Sequence, residues 1–177
     1  DRQVIATPEP KFFGGWTNTF TYKNLSLSFL MQFSCGGEAV YSNLGEEISG
    51  VLGQSVGREL YGNTWTPERT DAKYARLVAG VVFPMSYNYM ANDRFVFDTS
   101  YLRMKNITLS YSLPKAWINK LYLSNASLFV TATNLFTITQ WPGLDPETVA
   151  TGITSMGTNN DPYPLCRSFS LGVKLQF

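Results

Sequence analysis

Side chains that could recognise a ligand are concentrated in two stretches of the chain that carry no regular hydrophobic pattern. Sugars are bound by aromatic faces that stack on the ring and by amide and carboxylate groups that bind hydroxyls. Both kinds of group occur here, and the candidates are Trp65, Tyr89, Asn92, Asp93, Arg94, Trp141, Asn160 and Asp161, with Tyr74, Tyr87, Asn88, Asp145, Asn159 and Tyr163 beside them. The alternative is structural, because Asn-Asn-Asp-Pro and Pro-Gly-Leu-Asp-Pro form turns without any ligand and Trp65 would then only pack its own loop.

Catalytic chemistry has few suitable residues in this sequence. The chain contains no histidine, which excludes Ser-His-Asp and Cys-His catalysis and removes the commonest metal ligand. Glu46 and Glu47 are adjacent carboxylates, but they lie in segment 38–52, where apolar residues recur at helical spacing. This segment is predicted to be a short amphipathic helix rather than a glycosidase site. We therefore predict no enzyme activity, no catalytic residue, no cofactor and no metal site.

The composition differs from that of an ordinary soluble domain. Charged residues make up 15% of the 177 residues, whereas soluble domains carry about 25%. The net charge of +1 gives no electrostatic reason to bind nucleic acid, so that partner is excluded. No apolar run reaches the ~18 residues of a transmembrane helix, so the spans that remain possible in this sequence are strands.

Cys35 and Cys166 are expected to be unpaired. Because the chain opens on Asp1, either a signal peptide has been removed or upstream sequence is missing.

Alternation of apolar and polar side chains predicts a set of strands. The clearest is SFSLGVKLQF at residues 168–177, in which every second residue is apolar and the others are Ser, Gly, Lys or Gln. Its length suits a tilted strand that crosses a bilayer. The predicted strands cover roughly 11–23, 25–35, 98–113, 122–139 and 167–177. Lys23-Asn24 is predicted to be a tight hairpin turn. A phase slip in the third strand indicates either a bulge near Lys105-Asn106 or a poorly patterned strand.

The connections between these strands are unequal. The turn at Lys23-Asn24 and the stretch 114–120 are short, whereas 36–97 and 140–166 are long. Short turns on one rim and long outward loops on the other are typical of outer-membrane barrels. Aromatic residues near both rims would suit the girdles of such barrels, although aromatic residues also lie near strand ends in other β-proteins. Those at the short-turn rim are Tyr22, Tyr111, Trp117, Tyr122 and Phe177, and those at the other rim are Phe13, Tyr101, Trp141 and Phe169.

These strands are too few for a complete membrane barrel, since bacterial barrels have even strand numbers from eight upward. Hydrocarbon does not tolerate an open sheet edge. The predicted fold class is therefore an all-β, antiparallel transmembrane barrel of which this chain supplies only a part. Lys174 lies on the polar side of the last strand and is predicted to face a water-filled lumen. A lysine that faced lipid at mid-bilayer would cost about 2–4 kcal/mol.

Five segments in order along the chain carry recognisable motifs: FGGWTNTFTYKNLSLSF, NTWTPERTDAKYARL, TSYLRMKNITLSYSLP, LFVTATNLFTITQWPGLDPE and DPYPLCRSFSLGVKLQF. These motifs resemble the patterns of the SusC-like family of TonB-dependent outer-membrane transporters. They are spread over nearly the whole chain. The sequence departs from the family at Ala75, where a proline is usual, and at Cys166, where a proline is frequent. The first departure loosens the match of one loop, and the second concerns only a loop end.

The resemblance implies that the chain is the C-terminal, barrel-closing part of a larger outer-membrane barrel. Its long loops would be extracellular and its C-terminus periplasmic. An N-terminal plug, absent from this sequence, would be moved by the inner-membrane TonB complex. A SusD-like surface lipoprotein would be its partner, and Phe177 resembles the aromatic end that the barrel assembly machinery recognises.

The expected function is therefore active import of a bulky nutrient, with an oligosaccharide favoured over a peptide. The rival hypotheses are a soluble all-β carbohydrate-binding module and a passive, porin-like barrel. The module would need polar residues on the outer strand faces, where Phe169, Leu171 and Val173 argue against it. The porin-like barrel would differ from the transporter in lacking a plug.

Overall fold

Antiparallel strands dominate the structure, a computed structural model that describes residues 4–41, 57–76, 93–119, 122–149, 158–159 and 163–177. The strands are β1 (Phe12–Tyr22), β2 (Leu25–Cys35), β3 (Glu38–Tyr41), β4 (Val96–Asp98), β5 (Tyr101–Ser112), β6 (Asn125–Thr133), β7 (Thr137–Thr139), β8 (Thr158–Asn159) and β9 (Ser168–Gln176). Helical structure in these residues is limited to the single turn α1 (Lys115–Ile118) and to 3-10 turns at Arg58–Leu60, Asp93–Phe95 and Pro146–Thr148.

The chain divides into two compact units. The strand unit comprises Pro10–Gly36, Ser100–Gln140 and Pro164–Phe177, and it contains β1, β2, β5, β6, β7 and β9. The loop unit comprises the described residues of Asp1–Glu9, Gly37–Thr99 and Trp141–Tyr163, and it contains β3, β4 and β8.

The strand unit is one antiparallel sheet with the order β1-β2-β5-β6-β9, and β7 pairs with the first part of β5. Neighbours in the sheet follow one another along the chain, as in an up-and-down barrel wall. Among the described residues, β1 pairs only with β2, and β9 pairs only with β6. The sheet is therefore open at both edges, which confirms the predicted all-β, antiparallel fold that does not close by itself.

The turn between β1 and β2 has the two residues predicted for it. Tyr22 pairs with Leu25, and Lys23 adopts a left-handed conformation with a φ of 52°. Two-residue hairpin turns need at least one positive φ so that the turn follows the twist of the strands.

The predicted bulge lies in β5. Leu30 pairs with Asn106, while the next residue, Met31, pairs with Met104, so Lys105 is the extra residue. On the opposite side of β5, the backbone amide of Asn134 donates to the carbonyl of Lys105 at 3.0 Å. Asn134 is left-handed, with a φ of 49°, and the expected strand 122–139 is divided there into β6 and β7. Asparagine suits this position because its short polar side chain tolerates the left-handed region.

The predicted amphipathic helix at 38–52 is wrong at its start, where β3 is a strand, and residues 42–52 lie outside the described part of the chain. Ala39 pairs with Phe97 of β4, and β3 also pairs in parallel with β8. Ala39 and Tyr41 are buried, whereas Val40 is half-buried. The core positions thus alternate with period two, and the helical spacing that began at Val40 did not coincide with them.

Gly36 provides a test of backbone strain at the end of β2. Its φ is +77°, and a side-chain carbon there would lie 3.1 Å from the backbone nitrogen of Lys11. Gly36→Ala is expected to lower the free energy of unfolding by about 1–2 kcal/mol, because alanine is strained in the left-handed region. Gly15→Ala is the matched control, since a side-chain carbon there would meet its nearest atoms at 3.5 Å, an ordinary contact. Thermal unfolding of the purified protein gives the midpoint of each variant, and equal midpoints would contradict the prediction.

Candidate membrane-facing sheet and ligand loops

Cross-strand pairing divides the sheet of the strand unit into an apolar face and a polar face. Directly paired residues point to the same side of a sheet, and successive residues alternate. Tyr22, Leu25 and Tyr111 form one row on β1, β2 and β5, and Leu128 and Val173 extend it on β6 and β9. The other hydrophobic members of this apolar face are Phe12, Trp16, Phe20, Leu27, Phe29, Met31, Phe33, Cys35, Leu102, Met104, Ile107, Leu109, Ala126, Val130, Ala132, Ile138, Phe169, Leu171 and Leu175.

Much of the apolar face is open rather than packed against the chain. Leu171 is 78% exposed, and Phe169 and Val173 beside it on β9 are also exposed. Two non-hydrophobic positions, Gly14 and Asn18, belong to this face, and both lie on β1. Contiguous exposed apolar patches on soluble monomers rarely exceed a few hundred Å². A sheet-wide apolar surface therefore indicates contact with lipid or with another protein.

The opposite, polar face consists mainly of serine and threonine. Lys174 lies on it and pairs with Ser127, while Thr108 and Thr131 share a hydrogen bond of 2.9 Å between their hydroxyl groups. Val173, the neighbour of Lys174, points to the apolar face with Leu128. Two adjacent residues of β9 thus have opposite surroundings.

Exposed aromatic residues lie at the end of the sheet that carries the short turns, as predicted. Tyr22 and Tyr111 are on the apolar face there, and Lys23 Nζ lies 5.3 Å from the centre of the Tyr22 ring. Trp117 in α1, Tyr122 in the following turn and the terminal Phe177 are exposed at the same end. Aromatic rings with nearby lysines are typical of the boundary between hydrocarbon and water.

The aromatic band predicted for the opposite rim is mostly wrong. Phe169 is on the apolar face, but Phe13 and Tyr101 both align with Ser34 on the polar face. Trp141 is buried in the loop unit. On β1, the aromatic residue of the apolar face at this end is Phe12, whose ring centre lies 6.0 Å from that of Phe33. Strand alternation places adjacent Phe12 and Phe13 on opposite faces, so nearness to a rim does not determine which one meets lipid.

A buried arginine is a prominent polar feature of the sheet, and no role was predicted for it from the sequence. Arg103 is 3% exposed, and its Nε donates a hydrogen bond of 2.8 Å to the Thr137 hydroxyl of β7. Its guanidinium carbon lies 5.8 Å from the centre of the Tyr101 ring, and Gln32 Nε2 donates to the Tyr101 hydroxyl at 3.0 Å. Its position in the sequence could have indicated this role, because Arg103 is two residues from Tyr101 and therefore lies on the same polar side of β5.

In the loop unit, Trp65 is held by backbone pairing in the 57–76 segment. Its amide donates to the Tyr74 carbonyl at 2.9 Å, and the neighbouring Thr66 and Arg69 form an isolated bridge. The Trp65 side chain is 36% exposed, so part of the indole is accessible. Lys73 Nζ lies 5.2 Å from the centre of the Tyr74 ring. This segment thus offers an aromatic surface bordered by a cation.

Trp141, the second predicted tryptophan, belongs to a core. It is 5% exposed, and its ring makes edge-to-face contacts with Tyr41 at 5.7 Å and Phe97 at 6.4 Å. Its indole therefore packs β3 and β4 in this structure. Asp145 is buried as well, and its carboxylate accepts a hydrogen bond from the Glu147 amide at 3.0 Å, which caps the 3-10 turn Pro146–Thr148. Asp145 thus has the turn-forming role that is the structural alternative to ligand binding.

The remaining candidates are divided by what the structure describes. Asp93 and Arg94 begin the 3-10 turn Asp93–Phe95, in which Phe95 is buried, and Tyr163 is exposed. Tyr89, Asn92, Asn160 and Asp161 lie outside the described residues, as do Tyr87 and Asn88.

The described ranges also contain no group of three or more His, Cys, Asp or Glu residues that could hold a metal ion. Cys35, which is half-buried, and Cys166, which is exposed, are not joined in a disulfide in the structure. No helix in the part of the chain that the structure describes is both long enough and apolar enough to cross a membrane.

Comparison with known proteins gives matches along the whole chain. TonB-dependent receptor P3 of Formosa agariphila is 32% identical over 183 residues, which cover 100% of this chain and 17% of that receptor. TonB-dependent receptor SusC of Bacteroides thetaiotaomicron is 30% identical over 178 residues, which cover 100% of this chain and 16% of SusC. The chain therefore spans about a sixth of the length of these curated relatives. No family model matches it.

The fold is also similar to part of solved importers. The RagAB peptide importer in its open-open state superposes with a TM-score of 0.78 and 22% identity, over 99% of this chain and 18% of that one. Its closed-closed state gives a TM-score of 0.76 with 21% identity. The strand arrangement is therefore that of a β-barrel segment in such receptors. Together with the sequence matches over the whole of this chain, this arrangement shows that the chain is a segment of a SusC-like TonB-dependent receptor.

Proposed function

We propose that this chain forms part of the wall of an outer-membrane β-barrel, with its apolar face toward lipid and its polar face, including Lys174, toward a water-filled lumen. The observation that carries this proposal is the continuous apolar face that runs from β1 to β9 beside a face of serine and threonine. The strands β1 and β2 have 11 residues each and β9 has 9, which suits tilted strands that cross about 25–30 Å of hydrocarbon.

The orientation and position of the segment in the complete protein belong to the same proposal. The short-turn end, with Tyr22, Tyr111 and Phe177, would lie at the periplasmic boundary, and the loop unit would lie outside the cell. The segment would be the C-terminal, closing part of the barrel, with Phe177 as its assembly signal. The unequal connections and the exposed aromatic residues at the short-turn end support this orientation.

The activity that we propose is active import of a bulky nutrient, without bond-making chemistry. A plug elsewhere in the complete receptor would be displaced by TonB-linked work, and a SusD-like surface lipoprotein would assist capture. The names of the relatives support the TonB dependence. An oligosaccharide is the favoured cargo, because the loops contain aromatic and amide groups that suit sugars.

A peptide is the second candidate cargo, and the observation that favours it is the similarity to RagAB, described as a peptide importer. A soluble carbohydrate-binding module fits the exposed apolar face poorly, because in water Leu171 and its neighbours would remain uncovered.

Uptake by cells that carry the complete receptor distinguishes an oligosaccharide cargo from a peptide cargo. Cells lacking only this receptor should stop taking up labelled oligosaccharides but not labelled peptides, and the loss should be reproduced by collapsing the proton gradient. Loss of peptide uptake alone would reverse the choice of cargo, and normal uptake of both would contradict import.

Among the residues that the structure describes, Trp65 is the strongest ligand candidate, and Trp65→Ala tests its role in binding. Loss of one stacking aromatic is expected to weaken binding of the oligosaccharide about three- to tenfold. Tyr61→Ala is the control, because Tyr61 is a more exposed aromatic of the same segment that was not selected as a ligand residue. Calorimetric titration of the purified receptor with the transported oligosaccharide gives both values. Equal affinities for the two variants would remove Trp65 from the site.

A further inference from the structure

Two glycines on the outermost strands of the sheet lie beneath phenylalanine rings from the neighbouring strand. Gly172 of β9 pairs directly with Phe129 of β6, and Gly14 of β1 pairs directly with Phe33 of β2. The first pair is on the polar face, and the second is on the apolar face. β9 and β1 are the strands with an open edge among the described residues.

The geometry shows that the Phe129 ring covers Gly172 with its face. A side-chain carbon on Gly172 would clash with Phe129 Cζ and would lie 2.7 Å and 2.8 Å from Cε1 and Cε2. Such similar distances are found when the added atom stands above the ring, since an atom in line with the ring tip would be much farther from both Cε atoms. At Gly14, the same carbon would lie 3.1 Å from Phe33 Cζ and 3.6 Å from both Cε atoms, which is a looser version of the same arrangement.

The alternation of apolar and polar residues leaves one ambiguity in how these strands pair. A slip of one residue would move every side chain to the wrong face, so the two faces exclude it. A slip of two residues keeps each side chain on its face, and the repeating Ser, Leu and Thr residues of β6 and β9 would accept it. Another feature must therefore fix the register.

We propose that the Phe129–Gly172 and Phe33–Gly14 pairs fix the register of the two outer strands by rejecting two-residue slips. After such a slip, Phe129 would face Ser170 or Lys174, and Phe33 would face Phe12 or Trp16. Each of these residues has a side chain where the ring now lies on a glycine. Covering a strand glycine with an aromatic ring also shields a backbone that would otherwise be exposed. The inner pair β2–β5 has the Lys105 bulge as its own register marker.

Disulfide trapping in outer membranes that contain the complete receptor tests the proposal. In a background of Cys35→Ser and Cys166→Ser, Thr131→Cys with Ser170→Cys reports the native register, because these residues pair directly. Thr131→Cys with Ser168→Cys reports a slip in one direction, and Ser127→Cys with Gln176→Cys reports a slip in the other. We expect only the native pair to cross-link in the parent, and Phe129→Ala to raise the slipped cross-links at least threefold.

Matched variants separate the ring contact from general damage. Gly172→Ala should raise the slipped cross-links or lower the folded amount when Phe129 is present, and should add no further loss when Phe129 is alanine. Lys174→Ala, on the same face of β9, should leave the register unchanged. At β1, Gly14→Ala should lower the folded amount more than Gly15→Ala, whose nearest contacts are ordinary. Absence of slipped cross-links in Phe129→Ala, or an equal effect of Gly172→Ala with and without the ring, would overturn the proposal. These outcomes do not depend on which cargo is imported.

Discussion

Val173→Lys is expected to lower the amount of folded receptor in the outer membrane several-fold, whereas Lys174→Leu is expected to leave it nearly unchanged. Val173 is exposed on the apolar face, in the row with Leu128, and Lys174 is on the polar face with Ser127. In the proposed barrel, the first change exposes an ammonium group to hydrocarbon near mid-strand, at a cost of about 2–4 kcal/mol. The second change removes a charge from the water-filled side, where a leucine costs little.

The measurement is the amount of receptor in purified outer membranes that migrates in the compact, heat-modifiable form on electrophoresis. The two positions are adjacent, so effects on translation, local strand propensity or access of the assembly machinery are matched. Equal amounts of Val173→Lys and Lys174→Leu would disprove the assignment of faces. A loss confined to Lys174→Leu would reverse it and would place lipid on the serine and threonine side.

Thr137→Val is expected to lower the free energy of unfolding of the receptor by about 1.5–3 kcal/mol. The Thr137 hydroxyl accepts a 2.8 Å hydrogen bond from Arg103 Nε, and Arg103 is almost fully buried. Valine has a similar shape but no acceptor, so a buried charged donor loses this partner. The bond also joins β7 to the first part of β5, where pairing covers only Tyr101–Arg103. We therefore expect this end of the sheet to open first.

The temperature at which the purified receptor loses its compact form measures this effect. Thr17→Val is the matched control, because Thr17 of β1 is a threonine on the same polar face of the sheet but is exposed. Arg103→Met should be milder than Thr137→Val if the penalty comes from leaving a buried charge with fewer partners, since methionine removes that charge. An unchanged melting temperature in Thr137→Val would mean that the other surroundings of Arg103 suffice.

The register-fixing pairs and the Arg103–Thr137 bond lie in one sheet, and they give different roles to its residues. Phe129 and Gly172 would determine which residues of β6 and β9 meet, and Arg103 holds a three-residue strand that has few pairs of its own. The apolar face would then present a continuous surface to lipid only if β9 keeps its register on β6 and β7 stays paired with β5. A receptor with a slipped β9 would expose the same residue types at a different height in the membrane.

The elements that depend on local pattern could be predicted from the amino-acid sequence. Alternation of apolar and polar residues located β1, β2, β5 and β9 to within a few residues. The two-residue gap between the first two alternating runs indicated the hairpin turn at Lys23-Asn24. The phase slip in β5 indicated the bulge at Lys105. These features are readable because a strand with one buried or lipid-facing side must alternate with period two, and an extra residue must break that phase. The same alternation placed Lys174 and Val173 on opposite faces.

The folded structure was needed to establish the features that depend on residues far apart in the chain. It divided the expected strand 122–139 at Asn134, replaced the start of the predicted helix by β3, and buried Trp141 against Tyr41 and Phe97. It also brought Arg103 to Thr137 and laid Phe129 on Gly172. The physical reason is that local pattern fixes which way a side chain points along its own strand, whereas burial and hydrogen bonding depend on which strand comes to lie beside it and in what register.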